Sequence, residues 1–251
     1  MTARQRARND MMQRLSREHH VVLACAARQL TPSATAQVAD YCRSAEFDWD
    51  TLTASALAHR ITPLVLAHVT AIAGADVPPP VRDAWTHFDA SYRREQTARA
   101  RLLAQLIAFF ADRDIRVMPV KGAALDITLY DGCSYTESGD IDLLVDRTWA
   151  QFSEANRLAL KQFAGVSGLE IGFARHHDLD MNRVLDVDYD GLWMRSSIVT
   201  LGAGRAHVMS PEDTLLTMCT NLCRKRYRLL KDMMAIETSS SRRRHSTGAG
   251  S

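Results

Sequence analysis

Ser138-Gly139-Asp140-Ile141-Asp142-Leu143-Leu144-Val145 is the stretch that decides the fold of this chain. Because side chains alternate along a β-strand, Asp140 and Asp142 are predicted to share one face, and Ile141 the other. The aliphatic run at 143–145 predicts a strand entering a buried sheet, with the acids at its solvent end. Paired carboxylates repel each other unless a cation lies between them, and such oxygen ligands suit Mg²⁺ or Mn²⁺. The alternative is a polar strand start with two solvated acids.

A lysine and a glycine precede this stretch in a setting that suits phosphate. The short apolar run Val117–Val120 predicts a strand, and Lys121-Gly122 opens a predicted helix that reaches about Tyr130. The first N–H groups of a helix lack partners and its dipole favours an anion there. Lys121 adds a positive charge, although the spacing of a P-loop is absent.

A second pair of alternating acids lies further along the chain. Val184–Tyr189 alternates cleanly and predicts a strand with Asp186 and Asp188 on one face. If this strand neighbours the first acidic strand, the four carboxylates converge on one cation site. Further strands are predicted at Leu169–Ala174 and at Ala206–Met209, with 199–204 as a loop or a helix end.

Helical patterns fill the first 110 residues. Thr31-Pro32 and Thr62-Pro63 each place a capping hydroxyl before a proline at the first helical position. After a Pro-rich break, apolar residues from Val81 to Phe110 recur every three or four positions and predict one long helix. Gln96 and Arg99 interrupt its apolar stripe.

Two later helices are also predicted. Thr148–Gln151 is a capping-box pattern for a helix that reaches about Phe163, and Ser210-Pro211 begins a helix towards the C-terminus. The inner face of the last helix is predicted to consist of Leu215, Leu216, Cys219, Leu222 and Cys223. The basic run Arg224–Arg228 that follows is either a solvated face or a contact for a triphosphate or polyanion.

The composition is that of an ordinary globular protein. The chain has 251 residues, of which 46% are hydrophobic and 24% charged. No apolar run reaches the length of a membrane span, and the N-terminus lacks the apolar segment of a signal peptide, so a cytoplasmic location is expected. The five cysteines show no zinc-type pairing and are expected to be reduced thiols. The ends are basic and the body is mildly acidic, which does not favour a dedicated nucleic-acid binder.

These motifs resemble those of the uncharacterised nucleotidyltransferases of the polymerase-β-like superfamily. The resemblance lies in the block Gly139–Val145 and the run Lys121–Leu125, with further similarity at 56–64, 210–213 and 228–232. Asp186 stands where such proteins carry a third acid. At two motif positions the chain differs from the family pattern: Tyr135-Thr136-Glu137 replaces an expected arginine before the acidic strand, and Asp188 replaces a histidine.

The resemblance implies an α+β fold with a small mixed sheet flanked by helices. It divides the chain into an N-terminal helical region at 1–112, a polymerase-β-like nucleotidyltransferase core at 113–209 and a C-terminal helical segment at 210–237. The remaining residues, 238–251, contain nothing apolar to bury and are expected to be a disordered tail.

The resemblance also implies a reaction, in which a nucleoside monophosphate moves from an NTP such as ATP to a hydroxyl-type acceptor on a small molecule or protein. Asp140, Asp142 and Asp186 would bind two Mg²⁺ or Mn²⁺ ions, and Asp186 would also act as the catalytic base. Lys121, Gly122 and Gly139 would bind the nucleotide. Two alternatives stay open at this point: a catalytically degenerate member that acts as a binding or regulatory protein, and a toxin-like enzyme that modifies tRNA.

Overall fold

The computed structural model describes residues 14–128, 135–146, 151–167, 170–174 and 187–236. The described elements are, in chain order, α1 (Arg17–Cys25), α2 (Pro32–Cys42), α3 (Trp49–Ala58), α4 (Thr62–Ala73), α5 (Pro79–Ala111), β1 (Val117–Val120), α6 (Lys121–Thr128), β2 (Asp140–Val145), α7 (Glu154–Ser167), β3 (Glu170–Ala174), α8 (Tyr189–Arg195), β4 (Ser197–Leu201), β5 (Gly204–Val208) and α9 (Pro211–Arg224). This arrangement confirms the predicted α+β class. The predicted tail at 238–251 lies outside the described residues.

The described chain forms two compact units. The first contains residues up to Phe88 together with 135–137 and 229–234, and the second contains 89–128 and most of the later elements. None of the described helices is both long and apolar enough to cross a membrane.

The first unit is built from α1 to α4 and the start of α5 around one apolar core. Leu52, Ile61, Val65 and Val69 are fully buried in this core. Trp85, near the start of α5, packs in the same core. Its indole N–H donates to Thr53 Oγ1 at 3.0 Å, so this buried donor has an acceptor.

The start of α4 departs from the sequence-based prediction. Thr62 is the first helical residue and its side chain makes no capping bond. Instead Glu137 Oε1 accepts a hydrogen bond from Thr62 N at 3.3 Å, and Glu137 N donates to Arg60 O at 3.0 Å. A residue 75 positions away in the chain therefore supplies the cap that Thr62 was predicted to provide.

The long helix α5 is confirmed as one continuous element of 33 residues. Its second half packs against the sheet of the second unit, where Leu106, Ile107 and Phe110 are completely buried. The helix that follows β2 begins and ends later than predicted, since it ends at Ser167 rather than near Phe163. It begins at Glu154 rather than near Thr148, and Ser153 Oγ accepts from Asn156 N at its start.

The second unit holds a mixed three-stranded sheet with β2 in the middle. β2 pairs antiparallel with β1, with Val120 opposite Asp142, and parallel with β3, with Gly172 opposite Asp142. Ile141, Leu143 and Val145 project from one face of β2 into the core formed with α5. Leu144 projects from the other face and packs with α8. Both faces are covered, which explains the unbroken apolar run of this strand.

A separate antiparallel hairpin, β4–β5, precedes α9. The region at 199–204 was predicted as a loop or a helix end, and this prediction is wrong because Ser197–Leu201 is a strand and Gly204 begins the next one. The predicted inner face of α9 is only partly right, because Leu222 is buried as predicted and Leu215 and Cys219 are half-buried. Leu216 and Cys223 are exposed, whereas Asp213, Thr217, Met218, Thr220 and Leu222 are buried.

Candidate nucleotide and metal site

Asp140 and Asp142 lie at the start of β2 on one face, as the alternation predicts. Asp140 is exposed, Ile141 is buried on the opposite face and Asp142 is half-buried. Further along the acidic face, Leu144 is buried among residues of α8. The inner end of this face is thus filled by apolar packing, and its outer end presents the two carboxylates.

Lys121, which directly follows the neighbouring strand β1, reaches this outer end. Its Nζ lies 2.9 Å from Asp142 Oδ2, and the two side chains are 33% and 16% exposed. Had β1 continued in the same register, residue 121 would lie opposite Ile141 and share its face. Instead Lys121 adopts a φ of 55°, a left-handed conformation that is unfavourable for a non-glycine residue. This conformation ends the strand and accompanies the ion pair with Asp142.

Gly122 and Ser138 approach each other closely at the same place. A Cβ on Gly122 would lie 2.8 Å from Ser138 Oγ, so only glycine fits here without a shift. Ser138 Oγ in turn donates to Asp140 Oδ1 at 2.9 Å. Ser138 was not predicted as a site residue, although its position inside the acidic block was a usable signal. Nothing lies within 4 Å of a Cβ built on Gly139, so this backbone is open to approach.

The structure therefore brings together five of the six predicted site residues: Lys121, Gly122, Gly139, Asp140 and Asp142. They converge where β1 passes into α6 and β2 begins. The first turn of α6 contributes N–H groups and the positive end of a helix dipole. Two carboxylates beside a lysine and a helix N-terminus suit a divalent cation together with the phosphates of a nucleotide.

The sixth predicted residue, Asp186, lies outside the described residues. The predicted strand at 184–189 is corrected at its described end, because Tyr189 begins α8 and Asp188 caps this helix. Asp188 Oδ1 accepts from Gly191 N at 2.9 Å, and Asp188 Oδ2 lies 3.9 Å from Arg195 Nη1. Asp188 therefore has a structural role as the cap of α8. The predicted strand does not extend to Tyr189, which is helical.

The motif at 210–213 acts in the packing of α8 on α9. Ser210 caps α9 by accepting from Asp213 N, and Arg195 donates two hydrogen bonds to the Asp213 carboxylate, each of 2.9 Å. Burial raises the pKa of Asp213, but the hydrogen bonds from Arg195 and Ser210 and the charge of Arg195 outweigh it, so the pKa is lowered. Asp213 is therefore ionised at neutral pH.

Within the described ranges, no three His, Cys, Asp or Glu side chains are grouped in a way that would hold a metal ion. In the described part of the chain, the candidate metal ligands at this site are the two carboxylates of β2, Asp140 and Asp142. Such a pair fits Mg²⁺ or Mn²⁺, because these ions are commonly held by one or two carboxylates plus substrate phosphates. The basic run after α9 is largely exposed, which agrees with either of its two interpretations.

Comparison with protein families agrees with this geometry. Residues 45–162 match the model of the family described as uncharacterised nucleotidyltransferase. This match supports a nucleotidyltransferase family for the segment. The match contains Lys121, Gly122, Gly139, Asp140 and Asp142, and it makes nucleotidyl transfer the general reaction expected of the domain. No curated protein and no solved structure shows a significant match to the chain.

Proposed function

We propose that this protein is a metal-dependent nucleotidyltransferase with a polymerase-β-like core, which moves a nucleoside monophosphate from an NTP to a hydroxyl group. The observation that carries the proposal is the convergence of Lys121, Asp140 and Asp142 at one end of β2. The acceptor is a small molecule or a protein side chain, and the NTP supply of the cytoplasm makes that compartment the expected location.

In the proposed reaction, the acceptor oxygen attacks the α-phosphorus of the NTP, and the bond to the bridging oxygen breaks to release pyrophosphate. The hydroxyl proton passes to Asp186, which acts as general base. Lys121 and the N–H groups after Gly122 bind the β- and γ-phosphates, because a cation and free donors at a helix start stabilise their negative charge. The open backbone at Gly139 permits close approach of the nucleotide.

Asp140 and Asp142 are the described ligands that would hold Mg²⁺ or Mn²⁺, with Asp186 as the third. Two bound ions would supply charge neutralisation for the triphosphate and a clamp on the attacking and leaving oxygens. The ion pair of Lys121 with Asp142 supports this assignment, since it places a positive charge against the half-buried carboxylate, where a metal ion would also lie.

The test is the double variant Asp140→Ala, Asp142→Ala. It should lose NTP·Mg²⁺ binding in calorimetry and transfer of labelled NMP to acceptors in cell extract, while keeping its circular dichroism spectrum, because both acids lie at the exposed end of the strand. Removing two like charges that lie close together relieves their repulsion and should not destabilise the fold.

The matched control is Asp112→Ala, Glu154→Ala, which removes two exposed acids from the same unit. Unchanged NTP·Mg²⁺ binding in the first double variant would show that the site is wrongly placed. A parent protein that binds NTP·Mg²⁺ but transfers no label would instead support a binding or regulatory role.

A further inference from the structure

The polar interruption of the α5 stripe contains a buried arginine with unused hydrogen-bonding capacity. Arg99 is 7% exposed, and its Nη1 donates to Gln96 Oε1 at 3.0 Å. Arg99 Nε and Gln96 Nε2 are buried and have no hydrogen-bond partner in the described part of the chain. Burying such donors without an acceptor costs free energy, so a ligand that supplied an acceptor would stabilise the pair.

Both side chains line a cavity of about 650 Å³. Its wall comes from α5, from α6 and from the turn between β4 and β5, and includes Leu103, Ala104, Ile127 and Leu201. A cavity of several hundred Å³ with apolar walls and a few placed polar groups is typical of small-molecule sites. Helix α6 contributes to this wall one turn after the candidate nucleotide site at its start.

Small residues keep this cavity open. Gly202 in the β4–β5 turn has a φ of 59°, and a Cβ there would lie 3.3 Å from Ala104 Cβ. The turn is thus held close to α5 at a position where a side chain would be strained. Ala104 itself is half-buried, so a larger residue at this position would extend into the cavity.

Three charged side chains line the cavity. Arg99 and Arg101 line it against one acid, Asp126, which leaves one positive charge in excess. A carboxylate carries one negative charge and accepts parallel N–H bonds from a guanidinium. We propose that this cavity binds a small molecule that combines one carboxylate with an apolar body, with Arg99 and Gln96 as the donors to the carboxylate. This site requires no nucleotide, so its test is independent of the proposed function.

The test uses 2-naphthylacetate and its uncharged analogue 2-naphthylacetamide as probes, titrated into the full chain by calorimetry. The acid should bind about tenfold more tightly than the amide, because hydrogen bonds to a charged group are the stronger ones. Arg99→Met should remove this preference and weaken binding of the amide much less than binding of the acid. The control Arg94→Met, an exposed arginine of the same helix, should bind both probes as the parent does.

A second variant tests the cavity rather than the charge. Ala104→Phe should fill the cavity and weaken both probes by tenfold or more, whether or not Arg99→Met folds. In the probe-free protein, Arg99→Met should need no less urea to unfold than the parent, because it removes a buried charge with an unused donor. Equal affinity for acid and amide, no binding of the acid at millimolar concentration, or unchanged binding in Ala104→Phe would each overturn the proposal.

Discussion

Replacing Lys121 with Met is expected to change metal binding and nucleotide binding in opposite directions. Lys121 Nζ lies 2.9 Å from Asp142 Oδ2 and compensates one of the two carboxylates at the start of β2. Methionine keeps a similar length and removes the charge. The acid pair should then hold Mn²⁺ alone more tightly, whereas the triphosphate of an NTP should lose a cationic contact.

The magnitude of each effect follows from the exposure of the pair. Two unit charges 4 Å apart interact by ~1 kcal/mol in water and ~4 kcal/mol at an effective dielectric constant near 20. Because the Lys121 side chain is 33% exposed and therefore partly screened by water, we take the lower figure, which corresponds to about fivefold tighter Mn²⁺ binding. The lost charge-assisted contact is worth ~1.5–3 kcal/mol, so NTP affinity should fall by about tenfold or more.

Two titrations test this prediction. Free Mn²⁺ is followed by electron paramagnetic resonance, and NTP and NMP are titrated by calorimetry in the presence of the metal. NMP binding should change little, since this nucleotide lacks the phosphates that Lys121 is proposed to contact. The control is Lys161→Met, an exposed lysine on α7. Weaker Mn²⁺ binding together with equal losses for NTP and NMP would refute the reasoning and place Lys121 in a structural role.

Three further predictions concern other residues. Gly122→Ala should displace the Ser138 hydroxyl from its acceptor and weaken NTP binding by ~1 kcal/mol in calorimetry; parental affinity would show that the close contact is dispensable. Asp186→Asn should keep NTP binding but cut turnover by ~10²-fold or more, whereas Asp188→Asn should be milder, since asparagine also caps a helix; the reverse order in steady-state rates would exchange their roles. The lowered pKa of Asp213 contributes stability that is present above its unfolded value of 3.8 and lost as pH falls through the folded pKa, so Asp213→Asn should reduce the urea midpoint at pH 7 and have little effect at pH 2.

The sequence alone was enough to predict the elements whose pattern is local. The alternation and the apolar run at 140–145 predicted β2, and the recurring apolar residues before Phe110 predicted the long helix α5. The grouping of Lys121 with Asp140 and Asp142 was also predictable, because the lysine follows a strand and the acids begin one. In each case the physical cause is a periodicity of burial or hydrogen bonding that a short segment carries by itself.

Other features depended on partners that are distant in the chain. The cap of α4 comes from Glu137 rather than from Thr62, since the loop containing Glu137 folds back onto that helix start. In α9, Thr217 is buried and Leu216 exposed. The Thr217 hydroxyl donates to Asp213 O within the same helix. Because this hydroxyl has an acceptor, burying Thr217 costs little free energy. A pattern of apolar letters does not contain this information.

The site shows the same division. The residue types and their order in the sequence were enough to predict that the acids, the lysine and the glycine belong to the nucleotide site. The left-handed backbone of Lys121, its ion pair with Asp142 and the contact of Gly122 with Ser138 exist only in the folded chain. Likewise, sequence showed Arg99 only as a gap in an apolar stripe, and the cavity beside it required α6 and the β4–β5 turn. Tertiary packing decided these features because each joins atoms that are brought together only when separate segments bury their apolar faces.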